Sequence, residues 1–347
     1  MTMPSSGAIN LGGTSSPISV AQELGLGLTS TISMNDAAVR TLAAVGGSGT
    51  SWSMNSLYGK ANKWIATIST NQQEMNLATW ASANGWNGSK PAEITIGSGV
   101  YIWSNNTATP ALTTGSFPGG LTIINNGYIM GKGGGGGAVV PPYGTYIAAT
   151  SGGNAISLSQ SCSINNVGYI GGGGGGGAGV GEGGGGAGGG SGGSEHDAAG
   201  GVGGSIGASG GNGQVVITPW GNGCGGGGGG RVIPGTGGAA RGPSFWSGDI
   251  YGGLGGGSGG SGGANWSEWD GWAWSGGGGG GWGAAGGFPG GAGTVYSGAG
   301  GSANAAGGNG SPIDTGYAYG AGGKAIALNG YSVTWLSGTA QVYGAVS

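Results

Sequence analysis

Residues 163–193 read SINNVGYIGGGGGGGAGVGEGGGGAGGGSGG, and the reading of this stretch decides the fold. A near-copy of its opening, LTIINNGYIMGKGGGGG, occupies residues 121–137. A flexible Gly/Ser linker has no use for the same apolar preface twice. Ile123, Ile124, Tyr128 and Ile129 flank NNG in the first copy. Ile164, Tyr169 and Ile170 flank NNVG in the second. Asn-Gly is a tight-turn signal. Each copy therefore predicts a short strand or turn that feeds directly into polyglycine.

Further glycine runs follow at 183–186, 188–190, 225–230, 255–257 and 276–281, separated by segments that hold the bulky residues. Glycine is poor in helix and strand interiors because ordering it costs the most backbone entropy. Without a Cβ, however, its backbone can be approached from every side, as at the collagen axis. Extended three-residue-per-turn rods can then pack as a lattice, each N–H and C=O paired across the contact. A run such as Gly171–Gly177 would span roughly 20 Å at ~3.1 Å per residue. The expected fold is mostly irregular and β. It has a C-terminal sandwich of packed polyglycine II helices with loops, preceded by a small N-terminal α+β region.

Composition supports order. Of 347 residues 101 are glycine and only 5% are charged, yet there are 13 tryptophans and 12 tyrosines. Disordered chains avoid aromatic residues and carry charge. The net charge is −3, and neither half has a basic patch, which argues against nucleic-acid binding. No apolar run is long enough to span a bilayer. The opening MTMPSSGAIN has no charged and apolar leader, so no secretory signal is expected. Cys162 and Cys224 are too few to staple a fold and read as small buried thiols.

Residues 1–65 read as short helices between Gly/Ser turns. Ser16 and Pro17 suit a helix start, with a stop at Gly25. Asn35 is a candidate cap, Val39, Leu42 and Ala43 share one face, and Gly46 ends the helix. SMNSLYGK, at 53–60, repeats the Ser-Met-Asn preface and contains Leu57 and Tyr58. Residues 66–120 read as a small α/β connector. NLATWASANGW suggests one helix, and AEITIGSGVYIWS alternates like a hairpin around Gly97 and Gly99. Residues 121–330 form the glycine-rich domain, and 331–347 the closing strands.

Aromatic residues gather between the runs. Trp266, Trp269 and Trp272 are spaced by three, which would align them on a three-residue turn, with Trp274 and Trp282 nearby. Phe245, Trp246 and Tyr251 surround Asp249. Tyr143 and Tyr146 follow a Pro pair, and Phe288 and Tyr296 form a fourth group. Rings of this kind serve as contact surfaces, or they fold back to cover the glycine slab.

Catalytic signatures are missing. Glu195, His196 and Asp197 are consecutive and cannot converge on one metal, and there is no second histidine. GYIMGKGG departs from a phosphate loop, with Asn126 and Gly133 at defining positions. No Ser/His/Asp set stands out. No cofactor or metal is expected.

ISMNDAAVRTLAAV followed by SMNSLYGK resembles the opening of many bacteriophage tail proteins. LTIINNGYIMGKGGGGG, INNVGYIGGGGGGG and the closing GKAIALNGYSVTW resemble the glycine-rich parts of phage receptor-binding proteins. The interleaved runs are similar in architecture to the tip adhesins of T-even-type phages, whose distal domain is a polyglycine II sandwich with host-reading loops. The short attachment domain of those adhesins is not recognisable here. The resemblance implies a virion tail protein that docks to other tail or baseplate proteins through residues 1–65, including Asn35, Val39, Leu42, Leu57 and Tyr58. It also implies that the loops between glycine runs meet a bacterial surface receptor. A trimer and a monomeric tip both remain open. The alternatives are a structural tail component, an ice-binding-like protein, whose strict glycine period is absent here, or a polysaccharide-cutting tail enzyme using Glu268 and Asp270.

Overall fold

The computed structural model describes residues 3–13, 18–47, 49–60, 62–140, 145–179, 183–193, 199–218, 221–224, 226–231, 237–238, 259–260, 262, 264–267, 273–288, 298–309 and 315–347. Two compact units result. The first comprises residues 1–66, 81–94 and 117–122, and the second 67–80, 95–116 and 123–347.

In the first unit, helix α1 (Val20–Glu23) starts at Ser19, whose hydroxyl accepts from the Gln22 N–H. Ser16 and Pro17, where the sequence places the start, lie outside the described residues. Helix α2 (Ala37–Ala43) starts at Asp36 rather than Asn35, and it closes at Ala44 with φ +57° rather than at Gly46. Asp36 instead accepts from the Ser33 N–H. Gly46 is held by Arg40, whose guanidinium donates to the carbonyls of Gly46, Gly47 and Thr50. A 3-10 turn follows at Met54–Leu57, its start capped by Ser53. Met3, Val20, Val39, Leu42, Ala43 and Leu57 form one core. Helices this short are marginal alone, and the shared core is what holds them.

The second unit is built on stacked coils. The strands are β1 (Trp64–Ile68), β2 (Gln72–Gln73), β3 (Met75–Asn76), β4 (Ala92–Ile96), β5 (Tyr101–Trp103), β6 (Leu112–Thr113), β7 (Leu121–Asn125) and β8 (Tyr128–Met130). They continue with β9 (Ala138–Val140), β10 (Thr145–Ile147), β11 (Ile156–Ser157), β12 (Cys162–Asn166), β13 (Tyr169–Gly171), β14 (Val215–Thr218), β15 (Gly221–Cys224), β16 (Ala264–Ser267), β17 (Ala273–Ser275), β18 (Ile326–Ala327), β19 (Val333–Ser337) and β20 (Val342–Tyr343). Helix α3 (Leu77–Ala83) lies where NLATWASANGW predicts it. Residues 64–66 of β1, 92–94 of β4, 121–122 of β7 and 81–83 of α3 belong to the first unit.

Three sheets take one strand from each successive turn of chain: β1-β4-β7-β12-β19, β2-β5-β8-β13-β20 and β3-β6-β11-β18. Pairing is parallel between β5 and β8, β8 and β13, β6 and β11, and β12 and β19. Segments 66–120, 121–171 and 331–347 thus contribute strands to the same sheets. The hairpin expected across 93–103 is not formed: β4 and β5 lie in different sheets. Gly97–Val100 turns a corner, with Gly99 at φ +74°, so both strands keep an apolar inner face. The NNG and NNVG segments are corners of the same kind rather than hairpin turns. Period-2 alternation cannot distinguish the two, because it reports only a face.

Inward residues stack from coil to coil. Ile102, Ile129 and Ile170 align in one sheet, and Met75, Leu112, Ile156 and Ile326 in another. Asn125 and Asn166 are also turned inward and buried. The Asn125 amide donates to Asn166 Oδ1 at 2.7 Å, and the Asn166 amide to the Gly338 carbonyl at 2.9 Å. A buried polar group must be paired in this way, which explains the asparagines at both prefaces.

The glycine segments leave the coil after β8 and again after β13, and return at β11 and β18. Residues 172–178 are buried along their length. Their N–H groups address three neighbours in rotation. Gly173 and Gly176 donate to Gly153 and Thr150; Gly174 and Gly177 donate to Ala187 and Gly184; Gly175 and Ala178 donate to Ala284 and Gly287. Their carbonyls accept from three more segments: Gly134 and Gly137, Gly277 and Gly280, and Gly320 and Gly323. These bonds are 2.7–3.0 Å long. Every third residue thus faces the same neighbour, and each side of the rod is backbone against backbone.

A side chain has no room there. A Cβ on Gly174 would fall on the Gly280 carbonyl oxygen, and one on Gly228 on that of Val202, whereas Gly47 has open space around it. Overpacking a core costs up to about 3 kcal/mol when side chains can yield, and here the obstacle is backbone. Gly174→Val and Gly228→Val should each cost at least about 3 kcal/mol, while Gly47→Ala should stay within about 0.5 kcal/mol. Thermal melting with limited proteolysis checks this, and an unchanged melt for Gly174→Val would contradict the packing described.

Candidate functional site

The hydrogen bonds locate the rod ends. Ala178 bonds to Gly287 and Gly277, Gly177 to Gly137 and Gly184, and Gly176 to Gly320. Gly193 bonds to Gly183, Gly278 to Gly308, and Gly298 to Gly276 and Gly262. The chain therefore departs at Gly137, Ala178, Gly193, Gly262, Gly287 and Gly308 and returns at Gly183, Gly276, Gly298 and Gly320, all at one end of the lattice. In the sequence, the segments between these points include 138–149, 179–182, 263–275, 288–297 and 309–319. They contain Tyr143, Tyr146, Trp266, Trp269, Trp272, Trp274, Phe288 and Tyr296.

Of these side chains, Tyr146 and Phe288 are described. Tyr146, on β10, donates its hydroxyl to the Ala318 carbonyl at 3.0 Å. Its ring lies 5.0 Å from that of Tyr317, and burial raises its pKa. Phe288 meets Tyr319 edge-on at 4.6 Å, and its N–H donates to Asn309 Oδ1. Tyr146 and Phe288, far apart in sequence, are thus each joined by an aromatic pair to residues 317–319, with Tyr319 and Ile147 exposed. Tyr317 and Tyr319 were missed by the sequence reading, although TGYAYG (315–320) carries the same signal of aromatic residues beside a glycine rod.

Trp266 and Trp274 lie on β16 and β17, which pair antiparallel with Trp266 opposite Ala273 and Asn265 opposite Trp274. Trp266 and Trp274 thus sit on the last two strands of the antiparallel sheet β14-β15-β16-β17, while Trp269 and Trp272, the other members of the expected three-residue alignment, lie outside the described residues. The flanking segment breaks the glycine run, and residues with side chains take the pleat. Tyr143, Phe245, Trp246, Asp249, Tyr251, Trp269, Trp272 and Tyr296 lie outside the described residues, as do the side chains of Trp266 and Trp274.

The opposite end of the lattice closes in tight turns that pack on the coil. Gly188 and Gly189 take φ of +95° and +79° there, a conformation that favours glycine. Trp282, in another such turn, is fully buried against Met130 and Ala187. Beside it the rings of Tyr101, Tyr128, Tyr169 and Tyr343 stack in succession at 4.6, 5.4 and 6.3 Å. This ladder occupies one sheet face, because parallel pairing sets Tyr101 opposite Tyr128 and Tyr128 opposite Tyr169. Trp282 thus packs, and so does the tyrosine repeated in both prefaces.

A polar clamp lies at the same end. Arg231 is buried, and it donates to the carbonyls of Gly188 at 3.1 Å and Ser104 at 3.1 Å and to Asn105 Oδ1 at 2.8 Å. The Asn105 N–H and the Ser104 hydroxyl both donate to the Glu74 carboxylate. Lys132 donates to the Gly189 carbonyl. Burial and the neighbouring Arg231 charge lower the Lys132 pKa to about 8.

The residues singled out for tail docking fall in two groups. Val39, Leu42 and Leu57 are buried in the first unit's own core, so they build that unit and cannot be its surface. Asn35 is exposed, and Tyr58 is half-buried with its hydroxyl donating to the Gly7 carbonyl.

The profile of the phage tail fibre adhesin Gp38 family matches residues 63–253. The chain belongs to this family. It is a receptor-binding adhesin of the virion tail. No curated protein matches the sequence. The crystal structure of the gp37-gp38 adhesin tip complex of the bacteriophage S16 long tail fiber aligns with a TM-score of 0.43 at 19% identity, over 96% of this chain and 99% of that one. Among the adhesin's described residues no cluster of histidine, cysteine or acidic side chains is arranged to hold a metal.

The clamp makes a pH prediction for the adhesin. Lys132 titrates near 8 when folded and near 10.5 when unfolded. The unfolded chain therefore binds more protons in that window, and stability rises with pH above about 8. The Cys162 thiol, raised by burial from 9.0 to about 11, opposes this weakly from about pH 8 and more strongly above pH 9. Denaturant titrations between pH 8 and 9 should show rising stability, and Lys132→Met should abolish the rise.

Proposed function

We infer that the glycine segments form a sandwich of polyglycine II helices whose aromatic connections bind a bacterial outer-membrane protein or surface glycan. Support for the helix type comes from the three-residue rotation of hydrogen-bond partners along 172–178. Glycines inside the runs at 172–177 and 276–281 also avoid positive φ, as a left-handed extended helix of one hand requires. The observation that carries the reading is that connections holding most of the candidate aromatic residues leave the lattice at one end. A rigid scaffold that presents variable loops is a binding architecture. Phe245, Trp246, Asp249 and Tyr251 belong to this reading by sequence. Adhesion proceeds without bond-making or bond-breaking, through several loops engaging at once.

The first unit is the proposed tail-docking part, Asn35 being its exposed candidate contact. Other tail proteins are its partners in this reading. The S16 gp38 adhesin is named as a complex with gp37, which is in keeping with it.

The test uses the full chain, fluorescently labelled, on whole host bacteria. Saturable binding that blocks infection by the parent phage is expected. Trp269→Ala with Trp272→Ala should weaken adsorption at least about tenfold, as loss of a hot spot does, with an unchanged melting temperature. No binding by the folded protein would assign it a structural place in the tail. A large fall in melting temperature would make the tryptophans packing residues.

A further inference from the structure

We propose that the first unit holds a second binding site, for an acidic sugar, lined by Lys60, Lys63, Trp64, Asn87 and Lys90. These residues, with Ile65 and two glycines, line an open surface pocket of about 380 Å³. The chain has five lysines, and three of them converge here in a protein of net charge −3. Lys63 is paired with Glu93. Lys60 and Lys90 have no carboxylate partner among the described residues, which leaves the cavity positive.

The walls are fixed by backbone rather than by the lysines. The Lys60 carbonyl accepts from the Met3 N–H, and the Trp64 N–H donates to the Pro91 carbonyl. Asn87 Oδ1 caps its own turn by accepting from the Ser89 and Lys90 N–H groups. That leaves the amide Nδ2 of Asn87 without a bond among the described residues. The indole of Trp86, which donates to the Lys90 carbonyl at 2.8 Å, pins the same turn against Phe117.

Size and chemistry choose the ligand. Small-molecule pockets run from roughly 300 to 1,000 Å³, whereas a protein partner needs about 800 Å² from each side. The cavity suits one or two sugar rings. The Trp64 indole can offer an apolar face to a sugar's C–H groups, the Asn87 amide can donate to a hydroxyl, and lysines act as point charges for a carboxylate or phosphate. The site is independent of the aromatic connections of the lattice.

The test is nitrogen-15 NMR on the full chain with glucuronic acid, glucose 6-phosphate, glucose and a hexaglutamate peptide as probes. Saturable shifts of the Lys60, Lys63, Asn87 and Lys90 amides and the Trp64 indole are expected with an acidic sugar. Glucose should bind at least about tenfold more weakly, and salt should weaken the acidic sugars. Whichever of carboxylate and phosphate binds tighter identifies the natural anion. Lys60→Gln with Lys90→Gln should reduce affinity at least about tenfold, the effect of losing 1.4 kcal/mol. Absence of saturable shifts, equal binding of glucose, or an unaffected double variant would overturn the proposal. Tighter binding of hexaglutamate would overturn it in favour of a protein partner.

Discussion

Everything in the second unit depends on backbone groups finding partners without side chains between them. A buried N–H or C=O left unpaired costs about 1–3 kcal/mol, while a paired one contributes a net of only about 1 kcal/mol. Ordering glycine costs more entropy than ordering any other residue. A single rod therefore cannot stand, and a pair gains too little. Surrounded on all sides, as residues 172–178 are, a rod pairs donors and acceptors in every direction. Stability then belongs to the whole lattice, and any Cβ at an interior position breaks several contacts together.

Such a lattice has no side-chain core of its own, so it must be seated. The coil supplies the seat. Its parallel strands carry isoleucines inward and a tyrosine ladder outward, and the buried Trp282 closes the lattice end near that ladder. Arg231 and Lys132 add directional bonds to the turn carbonyls of Gly188 and Gly189. The end away from this seat is where the long aromatic connections leave. Among the described residues, the turns at the seated end are short and sterically exacting: Gly188, Gly189 and Gly283 all take positive φ.

The sequence made part of this legible. Two copies of an apolar preface before polyglycine marked ordered rods, because a linker needs no preface. Helix α3 was readable from its apolar spacing. The hairpin expectation at 93–103 failed because alternation in Ile94, Ile96 and Ile102 reports an inner face and not the partner strand. Only the register of distant coils, Tyr101 beside Tyr128 beside Tyr169, reveals parallel stacking. The resemblance put Val39 and Leu42 in a docking segment, and their apolar stripe could not correct it, because a short helix shows the same stripe whether it packs on its own unit or on a partner. The aromatic clusters were visible as residues. That their connections share one end of the lattice was not, because rod direction is set by hydrogen bonds between segments remote in sequence.

Amide hydrogen exchange of the uniformly nitrogen-15-labelled chain tests the central claim most directly. If backbone pairing across rods holds the domain, the amides of Gly173–Gly177 exchange only through unfolding of the lattice as a unit, orders of magnitude slower than an open chain. Exchange of these amides at open-chain rates, with the coil amides of Ile129 and Ile170 still protected, would contradict it.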